Sequence, residues 1–352
     1  MEEFENTTIL VVGGAGFVGS NLVKMLLGFS PQEIVVIDNL LSSERQNLPE
    51  FPRVNFIKGS ITSNRILNEL QDRFDYIFHL ATYHGNQSSI FNPLADHANN
   101  TLTTLKLYER LKEFQKVKKI VYSSAGCTVA DKTFKEASAT TEDHPVSLYL
   151  DSPYQISKII GELYSNYYFK HYGLPVVKAR FQNVYGPGEI LGAGKWRGTP
   201  ATVWRNVIPV FIYQSLKKMP ITVENRGVAT RDFIHVRDIT RGLALCAIKG
   251  TPGEVYNLAS GVETSILELA EQINELCESK TPLTFLPPRE WDRSGKRFGS
   301  TEKSRKELGF KTTISLKEGL TDTIEWTRQN LDLIESCVRK HRKHMVKAAL
   351  SE

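Results

Sequence analysis

The chain has 352 residues, of which 41% are hydrophobic and 24% are charged, and its formal net charge at pH 7 is +5. These values are typical of a globular protein with one large domain or two joined ones, and no apolar run approaches the length of a membrane span. The four cysteines have no clustered spacing, which argues against structural zinc and favours a reducing, cytoplasmic compartment.

The two ends of the chain carry opposite charge. The N-terminal stretch "MEEFENTT" is acidic and lacks the basic and then apolar order of a secretory signal peptide. Residues 339–347, "RKHRKHMVK", hold much of the positive charge without interleaved aromatic side chains. That pattern is typical of a solvated helix end, so we expect neither a nucleic-acid nor a membrane partner.

The first half of the chain alternates β-branched runs with amphipathic stretches, the pattern of a parallel sheet covered by helices. Residues 93–114 and 152–172 predict helices long enough to cross over between parallel strands. Six runs predict strands: "TILVV", "EIVVID", "VNFIKG", "DYIFHLA", "KKIVYSS" and "PVVKARF". The predicted fold class is α/β, a Rossmann-type doubly wound parallel sheet followed by a smaller α/β C-terminal substrate domain.

A glycine-rich loop, "YGPGEILGAGKWRGTP", breaks this alternation after residue 183. We therefore expect residues 1–182 to form the first domain and residues 183–345 the second. Residues 232–260 again alternate strand, helix and strand, so they are expected to return to the first sheet.

The first predicted strand runs into a glycine turn and a helix, "ILVVGGAGFVGSNLVKMLL". Gly13, Gly16 and Gly19 have the spacing that lets a backbone approach a pyrophosphate at a helix N-terminus. Asp38 ends the second strand, where an acid binds the ribose 2′-hydroxyl and repels a 2′-phosphate. The pattern predicts NAD as cofactor; the alternative is a turn that merely packs the helix on the sheet.

Tyr154 and Lys158 in "SPYQISKIIGE" are four residues apart on a predicted helix and hence on one face. A free tyrosine has a pKa near 10, so it acts as a base near neutrality only with an ammonium group and the positive nicotinamide nearby. The pair follows the strand that ends in Ser123 and Ser124, which is where a hydride-transfer site is expected in the Rossmann order.

At this point the chain resembles the extended short-chain dehydrogenase/reductase family, in its NAD-dependent nucleotide-sugar epimerase and dehydratase branch. The resemblance covers nearly the whole chain and looks closest to enzymes of bacterial O-antigen loci. It is carried by "GGAGFVGSNLV", Asp38, "FHLAT" with Asn99, "SPYQISKIIGE", "ARFQNVYGPGE", "ATRDFIHVRDI", and "LGF" after "STEKSRKE".

The resemblance implies roles for named residues. Tyr154 would take the proton of a sugar hydroxyl while NAD takes the carbon-bound hydride, and Lys158 would hold the ribose and lower the tyrosine pKa. Ser60 replaces an aspartate that the family often has near the adenine. The implied NAD contacts are Gly13, Gly16, Phe17, Val18, Gly19, Asp38, Asn39, Ser60, Ile61, Leu80, Ala81, Thr82, Asn99, Tyr154, Lys158 and Phe181.

The resemblance also implies contacts to a nucleotide-linked sugar. Asn183 would face the diphosphate and sugar, and Arg231 would neutralise the diphosphate, with Arg293 as a second candidate because guanidinium forks match phosphate oxygens. His84 begins the substrate loop and is either a proton-transfer group or a hydrogen-bonded loop residue. The loop residues 195–197 either bind a carboxylate or acetamido group or cap the site.

The stretch "SSAGCT" departs from the family pattern, because Ala125 stands where the catalytic serine or threonine is expected. Ser124 and Thr128 are the candidate replacements. Cys127 falls where related dehydratases and the mannose 3,5-epimerase carry a proton-transfer group. It is therefore a candidate acid/base for epimerisation at C3 or C5, the carbons next to a transient C4 ketone. The alternative is that Cys127 is only a small buried residue at the end of a strand.

The leading interpretation is an NAD-dependent nucleotide-sugar epimerase in bacterial polysaccharide (O-antigen) sugar biosynthesis, inverting C4, or C3 or C5. The enzyme alternatives are a 4,6-dehydratase, disfavoured because "SSAGCT" lacks an acid pair, and a dehydrogenase. An NAD-binding protein without catalysis is the alternative from another class. Wide apolar surfaces on the two long predicted helices suggest a homodimer. The histidine spacing predicts no metal site.

Overall fold

The computed structural model describes residues 1–130, 133–289 and 295–349, with side chains described through residue 347. Its strands are β1 (Thr8–Val12), β2 (Glu33–Asp38), β3 (Val54–Lys58), β4 (Tyr76–His79), β5 (Lys119–Ala125), β6 (Ala139–Thr140), β7 (Val176–Phe181), β8 (Asn183–Tyr185), β9 (Ile221–Glu224), β10 (Thr230–His235), β11 (Val255–Leu258), β12 (Glu263–Ser265), β13 (Leu283–Leu286) and β14 (Phe298–Gly299). Its helices are α1 (Phe17–Leu27), α2 (Asn64–Glu69), α3 (Asn86–Phe91), α4 (Pro93–Asn99), α5 (Thr101–Leu111), α6 (Pro153–Tyr172), α7 (Val207–Leu216), α8 (Val236–Lys249), α9 (Ile266–Leu276), α10 (Leu316–Gln329), α11 (Leu331–Arg339) and α12 (Arg342–Ala349).

Seven strands form one parallel sheet in the order β11-β7-β5-β4-β1-β2-β3. All six strands predicted from the sequence lie in it, and the strand order reverses direction at β1, as in a doubly wound sheet. In the register, Val11 of β1 lies between Val36 of β2 and Phe78 of β4. The predicted Rossmann-type fold is confirmed.

Each face of the sheet has its own apolar core, because successive strand residues point to opposite sides. Ile9 and Val11 belong to the core that includes α1 and α8 side chains such as Leu22 and Leu243. Leu10 and Val12 belong to the second core, which includes residues of α5 and α6. Helices therefore cover both faces and leave the carboxyl ends of the strands open for a site.

The C-terminal part has smaller sheets and its own core. Strands β8, β10 and β12 form a three-stranded sheet, and β9 pairs with β13. Apolar residues of α7, α9 and α10 pack together against them. Within residues 232–260, β11 joins the edge of the large sheet beside β7, whereas β10 pairs with β8 and β12 instead. The division into domains near residue 183 stays a prediction.

The helix predicted over residues 93–114 is wrong as a single element, because α4 and α5 meet at Asn100 (φ −114°, ψ −65°). The Asn100 side chain accepts hydrogen bonds from the backbone N–H of Tyr83 at 2.6 Å and from Thr82 at 3.1 Å, and it donates to Ser157 on α6 at 3.1 Å. An asparagine that serves three segments in this way favours the irregular backbone over a continuous helix.

The C-terminal basic run lies across the end of α11 and the start of α12. Trp196 packs against this segment. Its ring stacks on the ring of His344, with 5.1 Å between the ring centres and an angle of 11° between the ring planes. Among the described residues, no helix has both the length and the apolar character needed to cross a bilayer.

Candidate active site

A cavity of about 780 Å³ lies along the carboxyl ends of β1, β2, β4, β5 and β7. This is the edge at which parallel α/β sheets bind ligands. Arg293, a predicted substrate contact, lies outside the described residues. The other predicted site residues all line the cavity: Gly13, Gly16, Phe17, Val18, Gly19, Asp38, Asn39, Ser60, Ile61, Leu80, Ala81, Thr82, His84, Asn99, Ser124, Cys127, Tyr154, Lys158, Phe181, Asn183 and Arg231.

The glycine turn between β1 and α1 forms a backbone cradle at one end of the cavity. Gly13 has φ +86°, and a Cβ there would lie 2.5 Å from the backbone nitrogen of Ala81. A Cβ on Gly19 would lie 2.4 Å from the carbonyl oxygen of Gly13. Only glycine fits both places, and Gly16 leaves the first N–H groups of α1 without a side-chain cap. The open amides suit an anionic group such as a pyrophosphate.

Asp38, at the end of β2, is a buried carboxylate beside this cradle. Oδ1 accepts hydrogen bonds from the Leu40 N–H at 2.8 Å and the Ser43 hydroxyl at 3.0 Å. Oδ2 accepts from the Ala15 N–H at 3.0 Å, and the Gly16 N–H also acts on this carboxylate. Burial raises the pKa of Asp38, and these hydrogen bonds oppose the rise. The residue fits a ribose hydroxyl and disfavours a phosphate ester.

Tyr154 and Lys158 lie one turn apart on α6, and both line the cavity. The Lys158 ammonium donates to the carbonyl oxygen of Ser123 at 2.8 Å and lies 5.9 Å from the centre of the Tyr154 ring. Burial lowers the pKa of Lys158 to about 8, while the negative charge of Asp96 opposes this. Burial raises the pKa of the Tyr154 hydroxyl, and the Coulombic effect of Cys127 raises it further. The Lys158 ammonium alone therefore does not make Tyr154 a base, and a second positive charge is required.

Two of the hydroxyls that could replace the missing catalytic serine or threonine are engaged by the protein. Ser124 donates to Glu162, whose carboxylate is held by Arg180 through two hydrogen bonds of 2.8 Å. Thr128 donates to the carbonyl oxygen of Ala125 at 2.6 Å. Neither hydroxyl proton is directed at a substrate oxygen in this arrangement.

Cys127 lies in the short 3₁₀ turn that follows β5. Its side chain is partly buried and lines the cavity. Its Coulombic effect on both Tyr154 and Lys158 places the thiol close to that pair. Cys127 and Tyr154 therefore line the same cavity.

A sequence profile of the NAD-dependent epimerase/dehydratase family matches residues 9–259. The chain belongs to this family. UDP-glucose 4-epimerase of Mycolicibacterium smegmatis is 31% identical over 323 residues, which is 91% of this chain and 98% of that protein. A dTDP-glucose 4,6-dehydratase of Actinoplanes is 30% identical over 338 residues, which is 92% of this chain and 98% of the dehydratase.

A solved structure of the Bordetella bronchiseptica enzyme WbmF is more similar to this epimerase/dehydratase family member. The crystal structure of WbmF in complex with NAD⁺ and UDP has a TM-score of 0.90 and 59% sequence identity, covering 99% of this chain and 100% of that chain. Another structure of the same enzyme holds NADH. The glycine cradle and Asp38 of this chain fit such a dinucleotide.

His84 lies across the cavity from the family's tyrosine. Its ring centre is 6.0 Å from that of Tyr154 in an edge-to-face arrangement, and its Nδ1 is buried without a hydrogen-bond partner among the described residues. Burial lowers the pKa of His84 to about 3, and the positive charges of Arg205 and Arg197 lower it further. The imidazole is therefore neutral near pH 7 and does not supply a proton as imidazolium.

The loop at residues 195–197 supports the site from outside rather than lining it. Lys195 is exposed, and Trp196 packs on the C-terminal helix. Arg197 is buried and donates to the backbone carbonyl of His84 at 2.8 Å and to the hydroxyl of Ser42 at 3.2 Å. Of these three described side chains, none is part of the cavity wall.

The sequence analysis missed a group of charged and polar side chains in the cavity wall. It consists of Glu189, Arg205 and Asn206. The Asn206 amide donates to Glu189, and Arg205 donates to the carbonyl oxygens of Ser42 at 3.2 Å and Ala193 at 2.9 Å. A signal existed: "WRN" precedes the apolar run "VIPVF", which predicts a helix N-terminus at Asn206.

Besides Arg205, three further arginines of the C-terminal part line the cavity. Arg231 donates to the carbonyl oxygen of Gly295 at 2.6 Å, Arg289 pairs with Glu224 at 2.5 Å, and Arg297 has a buried Nε without a hydrogen-bond partner. Arg297, four residues after Arg293, was also missed from the sequence. Within residues 1–130, 133–289 and 295–349, no group of three or more His, Cys, Asp or Glu side chains is arranged to hold a metal.

Proposed function

We propose that this family member is an NAD-dependent nucleotide-sugar epimerase that oxidises C4 of the sugar transiently and exchanges a proton at a neighbouring carbon through Cys127. The observation that carries the proposal is the position of Cys127 in the same cavity as Tyr154 and Lys158, close enough to affect both of their pKa values. The absence of an acid pair from "SSAGCT" argues against a dehydratase.

The chain's own residues would hold the cofactor at the first domain. The open backbone amides at the start of α1 would bind the pyrophosphate, and the Asp38 carboxylate would accept a hydrogen bond from the adenosine ribose. Lys158 would donate to the nicotinamide ribose. Bound NAD supplies a hydride acceptor and a positive charge. With that charge beside Lys158, the pKa of Tyr154 falls, because both cations favour the phenolate.

Tyr154 would begin the reaction by taking the proton of the C4 hydroxyl as the hydrogen on C4 leaves as hydride. The resulting ketone makes the hydrogens on C3 and C5 acidic. The Cys127 thiolate would remove one of these as a proton, leaving an enolate. A water molecule on the opposite face would protonate that carbon and so invert it, and the hydroxide formed would take the proton from the Cys127 thiol. Return of the hydride to C4 and of the Tyr154 proton to the oxygen completes the cycle.

The nucleotide end of the substrate would lie at the three arginines. Arg231 and Arg297 offer planar donors to diphosphate oxygens, and Asn183, at the start of β8, lines the same cavity and would face the diphosphate and sugar. We propose a nucleotide sugar of bacterial polysaccharide biosynthesis, on the resemblance to O-antigen-locus enzymes. All four cysteines are free thiols, which supports a reducing, cytoplasmic compartment.

A homodimer through α6 belongs to the same proposal. Leu163 and Tyr167, one turn apart on α6, are 60% and 48% exposed, and Ile156 on the same helix is 46% exposed. Large apolar side chains exposed along one helix face are typical of an interface.

The test is incubation of the NAD-loaded protein with UDP- and GDP-sugars, including acetamido and uronic forms, in heavy water, followed by NMR of the sugar. Deuterium at C3 or C5 that disappears in Cys127→Ala, but persists in the core variant Cys246→Ala, supports the proposal. An epimer without deuterium would indicate inversion at C4 alone and remove the role of Cys127. Loss of the C6 oxygen would indicate a dehydratase, and bound NAD without turnover a non-catalytic protein.

A further inference from the structure

Glu189, in "YGPGE" after β8, is a buried acid that the mechanism above does not use. Its side chain lines the cavity, and the residue is 7% exposed. Oε1 accepts a hydrogen bond from the Asn206 amide, whereas Oε2 is buried and has no hydrogen-bond partner among the described residues. A buried carboxylate oxygen without a donor is costly, so a ligand that brings a donor to this point is favoured.

Asn206 fixes the direction of this carboxylate. It occupies the N-cap position of α7, where an asparagine side chain ordinarily accepts a hydrogen bond from a helix N–H. Here the side chain makes no cap and donates to Glu189 instead. Oε1 is therefore held, which fixes the position of Oε2 in a side chain that lines the cavity.

Arg205 indicates which part of the substrate lies near Glu189. Arg205 donates to the carbonyl oxygen of Ser42 at 3.2 Å, and the Ser42 hydroxyl accepts from Arg197, which also donates to the carbonyl oxygen of His84 at 2.8 Å. The positive charge of Arg205 also lowers the pKa of Glu189. The His84 ring lies 6.0 Å from that of Tyr154, whereas Arg297 belongs to the cationic group at the other domain. Glu189 therefore lies toward the reacting end of the cavity, where the sugar would be.

We propose that Glu189 is a specificity-determining residue whose Oε2 accepts a hydrogen bond from a hydroxyl or amide N–H on the sugar, while Asn206 holds Oε1. The inference rests on the proposed function, because it needs a nucleotide sugar in the cavity. Burial raises the pKa of Glu189 to about 7, with Asn206 and Arg205 opposing the rise. A donor from the sugar favours the ionised, accepting form.

Isothermal titration of the NAD-loaded protein with UDP, UDP-glucose, UDP-N-acetylglucosamine and UDP-glucuronate tests this. Glu189→Gln keeps the shape and an oxygen for Asn206, but it replaces the free acceptor with an amide donor. We expect the Kd of the best-bound UDP-sugar to rise at least tenfold and that of UDP to stay within twofold. Glu44→Gln is the matched control, since Glu44 accepts from the Gly194 N–H at 3.0 Å but lies outside the cavity wall.

Three results would overturn the inference. If Glu189→Gln binds the UDP-sugar as tightly as the wild type does, Glu189 does not contact the sugar and only forms the hydrogen bond with Asn206. An equal loss of affinity for UDP and for the UDP-sugar would show that Glu189 acts on nucleotide binding or on the stability of the fold. A lowered melting temperature of the variant would indicate the stability effect. If the wild-type protein binds neither these UDP-sugars nor the corresponding GDP-sugars, the proposed function fails with it, and that failure is read from the wild type alone.

Discussion

Ser124 donates its hydroxyl proton to Glu162, and so it joins a buried ion pair rather than the substrate side of the cavity. The two carboxylate oxygens of Glu162 accept from Nε and Nη2 of Arg180 at 2.8 Å each, and all three residues are buried. This network ties the end of β5 to α6 and β7. A polar network of this kind fixes the geometry of the strand end.

We predict that Ser124→Ala keeps kcat/KM within about threefold of the wild type, because the lost hydroxyl is engaged by Glu162. Tyr154→Phe, by contrast, is expected to lower kcat by about 10²- to 10⁴-fold, the usual contribution of a general acid/base. Steady-state kinetics on the substrate found in the panel checks both. A loss in Ser124→Ala as large as in Tyr154→Phe would return Ser124 to the catalytic group.

The pKa of Lys158 predicts an alkaline limit to activity. Burial lowers this pKa to about 8, so the ammonium loses its proton as the pH rises through that value. A neutral Lys158 no longer favours the Tyr154 phenolate or donates fully to a ribose. We therefore expect kcat/KM to fall above about pH 8, toward tenfold per pH unit. A profile that stays flat to pH 9.5, with protein stability controlled at each pH, would contradict this.

Two buried histidines predict acid sensitivity of the fold. Burial lowers the pKa of His79 and of His84 to about 3, well below the value of about 6.5 expected in the unfolded chain. Between these pKa values the unfolded state binds more protons than the folded state. The contribution of the two neutral histidines to the free energy of unfolding is therefore fully present above pH 6.5, and it is lost progressively as the pH falls toward 3. Each histidine contributes about 1.4 kcal/mol of loss per pH unit below 6.5.

The measurement is urea denaturation at pH 7.0, 6.0 and 5.0 on the wild type and on the double variant His79→Gln, His84→Gln. The variant is less stable at pH 7, because His79 loses its 2.9 Å contact with Thr104. Its free energy of unfolding should nevertheless fall less steeply with acid than that of the wild type. Equal slopes would mean that other groups control acid unfolding.

The sequence predicted the first sheet well, because β-branched runs and the glycine turn act locally. Asp38 and Tyr154 could be placed for the same reason: each follows a predicted strand or lies on a predicted helix at a fixed spacing. The break at Asn100 could not be predicted, since its cause is a set of hydrogen bonds to Tyr83 and to Ser157, which is 57 residues away along the chain.

The site was harder to predict wherever a side chain had competing partners. Ser124 is in the cavity wall as expected, yet its proton goes to Glu162, a partner that no local pattern reveals. Burial raises the pKa of Tyr154, and burial is a property of the assembled fold that no local sequence pattern reveals. Glu189 sits in the glycine-rich loop and Arg205 directly before the N-cap of α7, so only the folded structure brings the two side chains to one cavity.

The exposed face of α6 predicts the oligomeric state. Leu163 and Tyr167 lie on a 20-residue helix, where their exposed apolar area is unfavourable in a monomer. We expect the wild type to sediment as a dimer and Leu163→Glu to weaken dimerisation at least tenfold, because a buried carboxylate in a two-fold interface meets its own copy. Leu148→Glu is the matched control, being 95% exposed outside any helix. Analytical ultracentrifugation over a micromolar range measures both, and an unaffected dimer in Leu163→Glu would exclude this face.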